Sequence, residues 1–175
     1  MCTVGRGADR LASEWRVLQG YVIANLQSAM EYRASFISQV VFMFLNDVLL
    51  LFFWWVLFSR LPSLNSWQMR DVVILYGVGA STFAFQAILF GHSFALARTI
   101  AEGGLDYYLV LPRRPLWHVL ISRSSASAWG DLLFGLVAYA WAVGGEARKL
   151  LLFPFFLVCG GLVSTAYGVL AGSLA

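Results

Sequence analysis

Two stretches of this chain run for more than a membrane's thickness without a formal charge. Residues 72–97, between Asp71 and Arg98, number 26, and residues 150–175 supply 26 more. Crossing the hydrocarbon layer takes about 20 mainly apolar residues in a helix, because lipid offers no partner to an unpaired backbone N–H or C=O. Composition agrees: 60% of residues are hydrophobic and 12% charged, about half the charged share of a soluble domain. The pattern predicts an all-α membrane protein.

Four spans are expected, over about residues 35–58, 71–92, 124–144 and 150–175, joined by short loops and by one long segment, 93–123. Residues 1–34 hold four arginines and three acids with no long apolar core, so no cleavable signal is expected there. Within them Leu11, Trp15, Leu18, Val22 and Leu26 recur at spacings of four and three, and Arg10, Glu14, Gln19, Asn25 and Gln27 fill the remainder. That pattern predicts an amphipathic helix lying in the membrane interface and leading into the first span. The competing reading is a helix packed on the rest of the protein.

Basic residues set the orientation. The N-terminal and 93–123 segments hold eight, and the two short loops hold four. Excess Lys and Arg stay cytoplasmic, so the N-terminus and the 93–123 segment are expected inside.

The chain lacks the residues of a nucleotide site. Lys149 is its single lysine and does not sit in a Gly-Lys-Ser/Thr context, so no phosphate-binding loop exists. Cys2 and Cys159 have no metal-ligand spacing. Ser81 and His92 faintly suggest an intramembrane protease, but eleven residues along one helix separate them by about 16 Å. Gly77, Gly79, Ala80, Ser81 and Ala84 read instead as a close helix–helix contact, as do Gly168 and Gly172, the latter against this chain or another. The net charge of +3 is spread between the spans, which argues against nucleic acid as a partner.

Asn46, Asp47 and Asp131 stand out among the polar residues inside spans. Asp47, beside Asn46 near the middle of the first, is costly in lipid and is expected to face a bundle interior or an aqueous path. The alternative is a structural hydrogen bond to Asn46 or a neighbouring helix. Asp131, preceded by Gly130, reads as a packing or capping residue.

The most distinctive segment is Ala101-Glu102-Gly103-Gly104-Leu105-Asp106-Tyr107-Tyr108-Leu109-Val110-Leu111-Pro112-Arg113-Arg114-Pro115. The glycines end one helix, Asp106 starts another and the prolines stiffen the exit. Such an apolar knob suits docking into a groove of a soluble partner. The plainer reading is a turn that covers helix ends.

From Glu102 to Pro112 the segment resembles the loop between the second and third spans of type-2 ATP-binding-cassette permeases. Met30-Glu31-Tyr32-Arg33-Ala34 and Ser127-Ala128-Trp129-Gly130-Asp131-Leu132-Leu133-Phe134-Gly135 resemble the same family at matching places. The resemblance implies an export permease of a bacterial plasma membrane, paired with a second permease chain, identical or not. It also implies a separate subunit that binds and hydrolyses ATP, this chain holding no cofactor of its own. Leu105, Tyr107, Tyr108 and Leu109 would be the apolar contacts of a coupling helix, flanked by Glu102, Gly103, Asp106, Pro112 and Arg113. Family members usually have six spans, whereas this chain stops at Ala175 inside the fourth, so a truncated product is expected. The rival functions are a membrane scaffold that binds a partner through 93–123 and, last, an intramembrane enzyme.

Overall fold

The computed structural model describes residues 4–60, 66–104, 106–107, 115–144 and 146–174. They form helices α1 (Val4–Glu31), α2 (Arg33–Arg60), α3 (Met69–Leu89), a 3-10 turn (Gly91–Ala95), α4 (Leu96–Ala101), α5 (Pro115–Ile121), α6 (Ala128–Val143), α7 (Ala147–Leu150) and α8 (Phe153–Leu174). The long helices α2, α3, α6 and α8 run alternately up and down.

Helix α2 inverts the pattern of a soluble helix. Its buried residue is Asp47, while Phe42, Leu49 and Phe53 are 71, 67 and 58% exposed. That arrangement is costly in water and comfortable in lipid, which solvates Leu and Phe as a core would. Exposed Trp55, Trp67 and Trp141 gather at one end of the bundle, and Tyr32 lies at the other. From Tyr32 to Trp55 is a rise of about 34 Å along the helix, which sets aromatic side chains at both headgroup levels of a bilayer with a core of about 30 Å. The chain is a multi-pass membrane protein.

Helix α3 is the centre of the bundle because small residues let its neighbours approach. A Cβ at Gly135 of α6 would lie on the Ser81 hydroxyl and 2.5 Å from the Gly77 carbonyl. One at Gly77 would lie 3.1 Å from the Gly135 carbonyl. Val73, Phe134, Ala138 and Ala142 form the core around this crossing. On the other side Gly160 and Gly161 of α8 pack against Thr82 and Phe85. Gly168 lies against Gln86 and Ser93, and Gly172 against Leu96. Both partners of the Gly168–Gly172 pair therefore belong to this chain.

Among the described residues three segments are long and apolar enough to span: Arg33–Arg60, Met69–Leu89 and Arg148–Ser173. The predicted third span, 124–144, is shorter as a helix. Helix α6 has 16 residues, a length of about 24 Å. Its first predicted turn is instead an irregular stretch of serines, which compete with the helix for backbone partners. Ser125 donates its N–H to the Ala87 carbonyl at 3.0 Å, and its hydroxyl pairs with that of Ser127 at 3.0 Å. At the far end Gly144 takes φ +66° as the left-handed cap, and Arg70 donates to the Ala142 and Val143 carbonyls left open there.

Helix α1 packs on the bundle through one face. Val17, Leu18 and Tyr21 lie on Phe90, Leu120 and Ile121, and Tyr21 pairs with His118 Nδ1 at 3.1 Å. Trp15, expected on the apolar face, is 60% exposed; the packed stripe runs one position round the helix, through Tyr21 and Asn25. Asn25 donates to the Ile121 carbonyl.

Candidate functional site

Two places hold the residues singled out from the sequence. The first is the segment between α3 and α6. Helix α4 ends in a Schellman motif: Gly104 donates to the Thr99 carbonyl at 2.9 Å and Gly103 to that of Ile100 at 3.1 Å. Gly103 takes φ +71°, which glycine adopts without the cost a side chain would add. The chain thus turns sharply before Asp106 and Tyr107, which are helical and exposed, Tyr107 by 70%. Glu102 is held by Arg98 at 2.7 Å in an exposed pair, worth at most about 1 kcal/mol. Leu105, Tyr108, Leu109, Pro112 and Arg113 lie outside the described residues. Pro115 opens α5, where its missing N–H costs nothing.

The second place lies halfway along α3. Tyr76 donates its hydroxyl to Asp47 Oδ1 at 2.6 Å. Asp131 stands beside the same carboxyl, because Gly130 lets the start of α6 abut α2. A Cβ at Gly130 would lie 2.5 Å from the Val40 carbonyl and 2.9 Å from Met43 Cβ. Phe134, one turn on, is edge-on to both Phe44 and Tyr76, with centroids 5.9 and 5.4 Å away. Asp47 and Asp131 are 5 and 3% exposed. Asp47 Oδ2 and Asp131 Oδ1 are buried with no hydrogen-bond partner among the described residues.

The structure therefore joins two residues that the sequence kept apart. Asp131 is no cap, since Ser127 holds that position; it shares a centre with Asp47. Asn46 is exposed, about 100° round α2 from Asp47, and the partner of Asp47 is Tyr76. Sequence reasoning missed Tyr76. The available signal was a hydroxyl amid an apolar span, a group that needs a partner when buried. Ser81 donates to the Gly77 carbonyl at 2.8 Å, and His92 pairs with Thr99 at 2.8 Å, so each is engaged within its own segment.

The family model described as ABC-2 family transporter protein matches residues 44–175, three quarters of the chain. This chain belongs to the ABC-2 transporter family. No curated protein and no solved structure matches it. As an ABC-2 permease it is a membrane component of a transporter. The match takes in Asp47, Tyr76 and Asp131 as well as the whole segment between α3 and α6.

Proposed function

We propose that this ABC-2 permease is the membrane half of an exporter whose ATP is bound and hydrolysed by a separate subunit docked on the 93–123 segment. The observation that carries the reading is the family match through that segment. Its chemistry supports it: a Schellman turn delivers Asp106 and Tyr107 to the surface, and apolar Leu105, Tyr108 and Leu109 flank them in sequence. An aromatic and aliphatic knob on a polar rim is what anchors a docking surface. Glu102, Gly103, Pro112 and Arg113 frame it.

The same proposal sets this segment and the N-terminus in the cytoplasm of a bacterium, with the chain in the plasma membrane and α1 along the inner interface. A second permease chain, identical or related, faces the apolar surface of α2. Purification in mild detergent from the native membrane is expected to bring down a nucleotide-binding subunit. Tyr107→Asp and Leu105→Asp should abolish transport-linked ATP hydrolysis while leaving the chain folded. Recovery of the chain with no ATPase, or hydrolysis indifferent to both substitutions, would overturn the coupling. Intact partner binding without nucleotide-dependent flux would favour the scaffold instead.

A further inference from the structure

Beside the acid pair opens a groove of about 500 Å³ whose lining includes Met43, Asp47, Trp54, Tyr76, Phe83 and Asp131. Its size falls in the range of about 300–1,000 Å³ that suits a small organic ligand. Its walls are apolar and aromatic, and no described Lys or Arg lines it. Asp47 Oδ2 and Asp131 Oδ1 are buried with no donor among the described residues, and the two carboxyls are within hydrogen-bonding reach of each other, so one shared proton would leave the pair a single negative charge. The Tyr76 hydroxyl has one proton, and it goes to Asp47 Oδ1. The start of α6 adds only the partial positive charge of a helix end. A second groove, of about 640 Å³ and lined by Asp71 and Trp67, differs on this point. There Asp71 accepts the Gln68 N–H at 2.9 Å and belongs to a helix cap.

Negative charge that deep in a membrane is costly without a counter-charge. Aromatic rings around it hold cations on their faces. We infer that the groove between α2, α3 and α6 recognises a lipophilic organic cation, held by Asp47 and Asp131 at its floor and by Trp54, Tyr76 and Phe83 on its walls. The inference rests on the permease reading and names the class of molecule it carries.

Tetraphenylphosphonium tests it, with the equally large anion tetraphenylborate as the control. The full chain in lipid nanodiscs should bind the cation saturably and the anion not. Asp47→Asn and Asp131→Asn should each weaken cation binding about tenfold or more, and Asp131→Glu by less than Asp131→Asn. Where an Asn variant fails to fold, the wild-type chain still gives an answer. Dicyclohexylcarbodiimide modifies buried carboxyls, and saturating tetraphenylphosphonium should slow its reaction at both aspartates. The inference is overturned by absent cation binding, by equal binding in the folded double Asn variant, by equal affinity for the anion, or by modification that the cation leaves unchanged. The assay needs no ATPase, so failure of the coupling proposal leaves it intact. Failure of cation binding in turn leaves the coupling experiment standing.

Discussion

Asp47 and Tyr76 show how one polar pair organises an apolar bundle. A carboxyl in lipid has no water to turn to, so the 2.6 Å bond from Tyr76 decides which face of α2 turns inward. His92 makes a comparable choice beyond the end of α3. Its ring is 6% exposed, Nε2 meets Thr99, and Nδ1 has no partner among the described residues. Burial, and after it the Arg123 charge, hold its pKa below the ordinary 6.5. The unfolded chain thus takes up a proton more readily than the folded one. The neutral ring contributes its stability in full above about pH 6.5, and that contribution is lost as pH falls through the folded value. The melting temperature of the detergent-solubilised chain should drop on acidification in that window, and His92→Gln should flatten the drop. Parallel pH profiles for the two proteins would count against this role.

Among elements, the crossing of α3 and α6 is the tightest and the most sensitive to volume. At Gly135 an added methyl would meet the Gly77 carbonyl, a backbone atom that cannot swing aside, at 2.5 Å. Gly135→Ala should therefore cost about 1–3 kcal/mol, the usual cost of overpacking. At Gly79, two residues from Gly77 on the same helix, nothing lies within 4 Å of an added Cβ. Gly79→Ala should leave stability unchanged or raise it by about 0.5–1 kcal/mol, the ordinary helix preference for alanine. Thermal unfolding in one detergent compares the pair directly; equal losses would show that the crossing is looser than the geometry states. The 16 residues of α6 belong to the same account, since its serine-rich approach trades helical length for a bond to Ala87.

For the whole molecule, the alternating helices place Gly104 and Glu146 at opposite ends of the bundle. In a background of Cys2→Ser and Cys159→Ala, Glu146→Cys should react with an impermeant maleimide on intact cells. Gly104→Cys should react only after the membrane is opened. Labelling of Gly104→Cys from outside would reverse the orientation proposed here. Reaction of both from one side would break the alternation itself.

The long uncharged stretches determined the membrane class, and the apolar runs of the sequence lie within a few residues of α2, α3 and α8, because a bilayer reads only length and polarity. The Gly103-Gly104 helix end was equally legible, since a left-handed cap is a local demand on one residue. Tertiary structure alone decided that Asp131 meets Asp47, that Tyr76 completes their centre, and that Gly168 and Gly172 pack on their own chain. Periodicity says which residues share a face of one helix. Which face meets which neighbour depends on small residues such as Gly130 and Gly135 acting across helices, where spacing along the chain carries no information.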